Sequence, residues 1–201
     1  MKAVMISIQP KWCELIASGK KKVEVRKTKP KLETPFKCYI YCTKGKPIFT
    51  QSAFCDDVSN GKIIGEFVCK IMDKYVYDYC PHPEIGMDYD CGDSWWEISE
   101  EDLEKACLTY EDFKKYAFWE NVMYGWHISD LVIYDKPREL SEFIMPSKIG
   151  CCNEGKCRGC KYLDRGNGYN IEDDCNAKFS TDEFKPLRRP PQSWCYVEDT
   201  E

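Results

Sequence analysis

Between Gly150 and about Phe184 the chain nearly runs out of aliphatic side chains and is written in Cys, Gly, Asn, Asp and charged residues. Such a segment cannot bury enough apolar surface to offset the entropy of ordering it. Any hydrophobic core must therefore come from residues 1–149 together with the stretch that follows, 185–201. The economical organisation is one sheet-containing domain interrupted by a Cys-rich insertion at 150–184. With 201 residues, 43% of them hydrophobic, there is material for one core and a small appendage.

The periodicities outside the insertion predict strands and short helices. In "MKAVMISI" Val4, Ile6 and Ile8 fall on one side, as in a strand. "QPKWCELIASG" reads as a short helix with Pro10 near its first position, Trp12, Leu15 and Ile16 at helical spacing, and Gly19 as its stop. In "KVEVR" Val23 and Val25 point one way and Lys22, Glu24 and Arg26 the other. "KCYIYCT" is a further strand, and "GKIIGEFVCKIMDKYVY" is long enough to curve, with Gly65 able to relieve the bend. The segment from Asp78 to Asp93 has no period and is expected to be a loop. Ser99 can cap "EEDLEKAC", and Thr109 with Asp112 resembles a capping box opening "YEDFKKYAF". "YGWHISDLVIYDKP" returns to strand and is expected to end at Pro137; "SWCYV" forms a last strand after the insertion. The expected fold class is α+β, a strongly bent small sheet or barrel with flanking helices.

Charge is distributed unevenly. Residues 1–48 hold twelve Lys/Arg against three Asp/Glu, a net of +9, whereas residues 73–121 hold four against fourteen, a net of −10; the whole chain carries −5. A basic end attracts phosphate while the acidic part limits indiscriminate adhesion to nucleic acid. The same lysines could simply solvate a surface, and the acidic 73–121 stretch could dock a basic protein partner. A mean hydropathy of −0.57 with no apolar run near eighteen residues argues against a membrane span, and "MKAVMISIQPKW" lacks a signal peptide's apolar stretch. The expected compartment is cytoplasmic.

Fourteen cysteines in a chain of this kind point to reduced thiols and metal ligation rather than a disulfide scaffold. Cys13, Cys38, Cys42, Cys55, Cys69, Cys80, Cys91 and Cys107 are scattered, and read as small packing hydrophobes, as does Cys195. The other five cluster. Cys157-x-x-Cys160 forms a knuckle, and Cys152, Cys157, Cys160 and Cys175 (with Cys151 as the alternate to its neighbour) suffice for one closed tetrahedral Zn2+. A structural zinc would supply folding energy that this segment cannot obtain from burial. An iron-sulfur cluster or free thiols are the alternatives.

In the order helix, "GKKKVEVR", strand, "IIGEF", helices, "WHISDLVIYDKP", the chain resembles the ASCH family of the PUA-like superfamily from about Met1 to Phe143, plus the last strand. The specific element is a G-x-K-x-x-E-x-R pattern, met by Gly19, Lys21, Glu24 and Arg26. The resemblance implies a small β-barrel with flanking helices and a cleft lined by the motif residues. It also implies an RNA-related or modified-nucleobase role, since relatives include presumed RNA binders, a ribonuclease activity and an amidohydrolase acting on acetylated cytidine. The amidohydrolase-like members use a Lys, a Thr and a Glu, and Glu24 stands at the position matching that Thr. Lys22 replaces the usual Thr or Ser, implying a more basic cleft.

Three roles compete for the motif. Lys21 and Glu24 could act as a proton-transfer pair on a nucleotide ester or amide. Alternatively, the neighbouring cations favour an ionised Glu24 that anchors a ligand, or Glu24 and Arg26 form a structural ion pair on one sheet face. Phosphate contacts are expected from Lys11, Lys21 and Arg26, and stacking from Tyr41 and Trp126, while Trp12 and His127 read first as packing. No Gly-rich phosphate loop, G-x-S-x-G elbow or H-E-x-x-H motif is present, which disfavours nucleotide hydrolases and metalloproteases of those types. Binding of RNA or a modified nucleotide leads. A hydrolase acting on RNA or acylated nucleosides and a zinc-stabilised interaction module are the other readings.

Overall fold

A computed structural model of the chain describes residues 2–45, 60–78, 95–144 and 186–199. The Cys-rich segment with its expected zinc ligands, and most of the 78–93 loop, lie outside these residues.

Nine strands and three helices appear in the order β1 (Lys2–Ile8), α1 (Pro10–Ala17), β2 (Val23–Arg26), β3 (Phe36–Cys42), β4 (Ile63–Cys69), β5 (Met72–Asp78), β6 (Trp95–Trp96), α2 (Glu100–Ala106), α3 (Tyr110–Tyr116), β7 (Val122–His127), β8 (Ser129–Arg138) and β9 (Trp194–Glu198) among the described residues. A 3-10 turn covers Leu140–Glu142. A five-stranded sheet runs β8-β4-β3-β1-β9 and a four-stranded sheet runs β2-β7-β5-β6. Only the β1–β3 pairing is parallel among these strands. The fold is α+β, with sheets that close part of a barrel and helices flanking them. No helix among the described residues is long and apolar enough to cross a membrane.

Local chemistry explains most boundaries. Pro10 starts α1, and Gly19, with φ +73°, takes the left-handed conformation after the helix that a side chain would resist. The Ser99 hydroxyl accepts from the Asp102 N–H, and the Thr109 hydroxyl from the Asp112 N–H, so the two expected caps both form. Helix α3 stops at Tyr116, leaving Phe118 in the turn beyond it rather than in the helix expected from "YEDFKKYAF", with Trp119 next to it.

The long strand expected over 61–77 is two. The chain breaks at Lys70–Ile71, so that β4 belongs to the first sheet and β5 to the second. Gly65 sits where the β4–β8 register shifts, and a Cβ there would lie 2.3 Å from the Val132 carbonyl oxygen. "YGWHISDLVIYDKP" likewise divides into β7 and β8. Pro137 lies within β8, which tolerates it because β8 is an edge strand.

Three apolar clusters hold this arrangement. Val4, Ile6, Ile8, Cys38, Ile40 and Phe67 meet α1 and Trp126 on one face of the five-stranded sheet. Met5, Tyr39, Tyr41, Phe143 and Val197 pack on its other face. Val23, Val25, Tyr75, Met123 and Phe113 join the four-stranded sheet to α2 and α3. Cys13, Cys38, Cys42 and Cys69 are buried and outside any disulfide, and Cys107 and Cys195 are half-buried. Cys13, Cys38, Cys42, Cys69 and Cys195 pack in the apolar clusters, whereas Cys107 caps α2 in the left-handed conformation outside them; Cys55, Cys80 and Cys91 lie outside the described residues.

Candidate functional site

Helix α1 ends at Ala17, Gly19 turns the chain, and β2 begins at Val23, so the motif residues enter the fold from one short corner. Lys21, Glu24 and Arg26 are 3%, 7% and 7% exposed, an unusual degree of burial for three ionisable groups. Alternation along β2 sends Val23 and Val25 into the cluster beneath α2 and α3, and turns Glu24 and Arg26 to the opposite side.

The three charges are joined. Glu24 Oε1 lies 3.0 Å from Arg26 Nη2, and Glu24 Oε2 lies 3.5 Å from Lys21 Nζ. Lys21 Nζ also donates to the Ala106 carbonyl at the C-terminal end of α2, at 2.6 Å. Arg26 Nη2 donates to the Ser7 carbonyl at 2.6 Å, and Nη1 to Ser193 Oγ at 3.4 Å. Ser7 itself binds the segment leading into β9, its hydroxyl donating to the Pro191 carbonyl at 2.6 Å and its N–H to the Ser193 carbonyl at 2.8 Å. The guanidinium thus ties β2 to β1 and to the chain that returns after the insertion.

Burial pulls the Lys21 pKa below the ordinary lysine value; Glu24 opposes this without cancelling it. Trp12 is flanked by two ammonium groups, Lys11 Nζ at 4.1 Å and Lys21 Nζ at 4.9 Å from its ring centre. Lys11, Trp12, Lys21, Glu24 and Arg26 therefore form one neighbourhood.

The other two expected contacts lie elsewhere. Trp126 is fully buried, packed edge-on against Phe36 and tilted against Trp194, so its ring faces are not open to a base. Tyr41 points to the opposite face of the five-stranded sheet, into the cluster around Phe143. Alternation puts it there: Cys38, Ile40 and Cys42 take the face toward α1, and Tyr39 and Tyr41 take the other.

Two buried donors remain at this corner; a third unpaired polar atom among the described residues, Tyr75 Oη, lies away from it in the cluster with Phe113. Arg26 Nε and Trp126 Nε1 have no hydrogen-bond partner among the described residues. Glu24 stands directly opposite Trp126 in the β2–β7 ladder, and Arg26 is two residues along, so both donors share a face with the Glu24 carboxylate. Unpaired buried donors are costly, and a polar ligand edge would satisfy them.

A second constellation lies on the α2 side of the smaller sheet. Asp73 on β5, Asp102 on α2 and His127 on β7 each offer a ligand atom, all within 4.8 Å of one another, a set that could coordinate a divalent ion. His127 Nε2 and Asp73 Oδ2 are 2.5 Å apart. Only His127 drew notice in the sequence, because residues 73, 102 and 127 have no motif spacing; the sheet and helix bring them together.

A third feature was also missed. Tyr116, Phe118 and Trp119 are 41%, 65% and 88% exposed. The run "YAFW" was the available signal, hidden by its helix-like context.

A family model described as the ASCH domain matches residues 6–134. The chain belongs to the ASCH domain family. The matched span of this ASCH domain holds all four motif residues and reaches into β8, while β9 lies beyond it. Among solved structures it is similar to an ASCH protein from Zymomonas mobilis, at 17% identity and a TM-score of 0.44, over 69% of this chain and 73% of that one. A tyrosine-to-phenylalanine mutant of the Zymomonas protein aligns at 17% identity and a TM-score of 0.44, over 70% of this chain and 77% of that one. No curated protein matches the chain.

Proposed function

We propose that this ASCH domain binds RNA or a modified nucleotide in the corner between α1, β2 and the segment entering β9. The observation that carries this reading is the pair of buried, unpartnered donors, Arg26 Nε and Trp126 Nε1, beside the Glu24 carboxylate. Two N–H donors next to one acceptor complement the carbonyl and amino edge of a base, the kind of edge that side chains read by hydrogen bonding. Lys11 and Lys21, with Arg26, supply the positive field for a phosphate. Affinity for a panel of nucleosides, nucleotides and short RNAs is expected to fall with salt and to fall at least tenfold in Arg26→Lys, which keeps the charge and loses Nε. Unchanged binding in both Arg26→Lys and Lys21→Ala would place the ligand elsewhere.

The lowered Lys21 pKa favours a second reading, hydrolysis of RNA or an acylated nucleoside with Lys21 and Glu24 moving the proton. It requires turnover without added metal that Glu24→Gln abolishes while the variant stays folded. The insertion is proposed to hold one structural Zn2+ through Cys152, Cys157, Cys160 and Cys175, with Cys151 as the alternate, and the acidic 73–121 stretch to be a candidate protein-docking face.

A further inference from the structure

The turn after α3 presents aromatic surface that the fold itself does not use. Trp119 is 88% exposed and Phe118 65%, and neither contributes to the three apolar clusters. Trp119 has φ +69°, a left-handed conformation uncommon for a bulky residue. A strained backbone persists only where its surroundings hold it. Here the Ala117 N–H donates to the Phe113 carbonyl and the Glu120 N–H to the Ala117 carbonyl, both at 2.8 Å, which closes the turn. Lys27, just past the end of β2, pins it, its ammonium 3.5 Å from the Phe118 carbonyl oxygen and 3.3 Å from Glu120 Oε1. The Phe118 and Trp119 rings meet at 56° with centres 4.8 Å apart, a tilt that leaves the broad face of the indole uncovered.

The patch is continuous with the motif. The Arg26 charge reaches the Tyr116 hydroxyl electrostatically, and the Lys27 ammonium lies 5.7 Å from the Tyr116 ring centre. Lys29 stands 5.6 Å over Tyr124, the residue opposite Arg26 in the β2–β7 ladder. Lys114 and Lys115 occupy the last turn of α3. Glu120 is the carboxylate that meets this group, and it is paired with Lys27. An exposed indole bordered by cations matches an unpaired base flanked by phosphates, because every base has a face that stacks and every phosphate a charge to neutralise.

We propose that Phe118 and Trp119, with Lys27, form a stacking platform for a base of a single-stranded polynucleotide whose neighbouring nucleotide occupies the motif corner. This rests on the reading of the motif as a nucleotide site and extends it from one nucleotide to a strand. The platform predicts that oligonucleotides bind more tightly than mononucleotides, and that the surplus comes from Trp119.

The test is fluorescence anisotropy with labelled RNA and DNA eight-mers, beside competition by single nucleotides, on wild type, Trp119→Ala, Trp119→Phe, Lys27→Ala and Arg26→Lys. Trp119→Ala is expected to weaken oligonucleotide binding about tenfold, to leave mononucleotide binding unchanged, and to be rescued by Trp119→Phe. Lys27→Ala is expected to reduce the logarithmic salt slope by about 0.7, the single-strand value for one phosphate. The RNA and DNA arms identify the source of the strand. Wild-type oligonucleotide affinity in Trp119→Ala, with loss in Arg26→Lys, overturns the platform and spares the motif reading. Loss in Trp119→Ala with no effect of Arg26→Lys on any ligand retains the platform and overturns the motif reading. Concentration-dependent association of wild type that Trp119→Ala abolishes, without nucleic-acid binding by either, makes the patch a protein contact and overturns both.

Discussion

Replacing Glu24 with Gln tests whether the motif charges are a connected buried unit. The substitution keeps the size of the side chain and removes its charge, leaving Lys21 and Arg26 facing one another at 3% and 7% exposure. At the observed separations of 3.0 and 3.5 Å, an effective dielectric of about 20 gives a gross attraction of roughly 10 kcal/mol for the two contacts together. Most of that is offset by the cost of taking three charges out of water, and removing one partner of a buried pair costs about 3–5 kcal/mol net. Gln retains an oxygen that can accept from Arg26, which puts the expectation near 3 kcal/mol. In a chain of this length that corresponds to a Tm lower by about 6–12 °C, and to a urea midpoint lower by roughly 1–1.5 M for an m-value of about 2–3 kcal/mol/M. Urea titration followed by far-UV circular dichroism and tryptophan emission reads it directly. Adding Lys21→Met to Glu24→Gln should recover at least about 1 kcal/mol, because it removes one of the two stranded cations. The reasoning fails if Glu24→Gln lies within about 0.5 kcal/mol of wild type, since an exposed pair would behave that way.

Because burial lowers the Lys21 pKa in the fold, the unfolded chain binds more protons between that value and about 10.4, and the Lys21 contribution to stability must rise with pH across this window. The stability of wild type relative to Lys21→Met should therefore increase from pH 8 to pH 10 in urea titrations, and a flat difference would contradict it. Burial raises the Asp199 pKa, but the hydrogen bond from Tyr39 and the Lys37 ammonium outweigh it, so the carboxyl ends below its ordinary value. Asp199→Asn should cost about 1 kcal/mol at pH 7, a difference that shrinks as pH falls below about 4 and through the lowered folded value. Native mass spectrometry should find one zinc per chain, lost in Cys157→Ser with Cys160→Ser and kept in His127→Gln; loss only in the last variant would move the metal to the Asp73, Asp102 and His127 group.

What could be read from the sequence was whatever depends on near neighbours in the chain. Pro10 and Gly19 bound a helix, Ser99 and Thr109 cap two more, and alternation in "KVEVR" puts Glu24 and Arg26 on one face, all from rules spanning a few residues. What escaped depends on which strand lies alongside. The break at Lys70–Ile71 arises because β4 pairs with β3 and β8 whereas β5 pairs with β7 and β6, a choice with no local signature. Tyr41 alternates as expected, but which of its two faces meets the motif is decided by where α1 crosses the sheet. Asp73, Asp102 and His127 become neighbours only once α2 lies over β5 and β7. Trp119 is a further case: no rule spanning a few residues marks it, and the turn that follows Ala117 leaves it exposed.

The pairing of β9 with β1 sets an order of events during synthesis. Ile6 and Trp194 are partners in that ladder, and Ser193 and Pro191 complete the surroundings of Arg26, so the corner lacks one wall until residues 191–198 have left the ribosome. At about 5–20 residues per second the outer edge of β1 waits roughly 10–40 s for its partner. During that time its open N–H and C=O groups are a template for stray pairing that only the arrival of β9 removes. The length of chain between β8 and β9 matters little to this closure, since doubling such a loop adds only about 0.6 kcal/mol. The chain between β8 and β9 can therefore differ in length, provided that it delivers the last strand to the same edge.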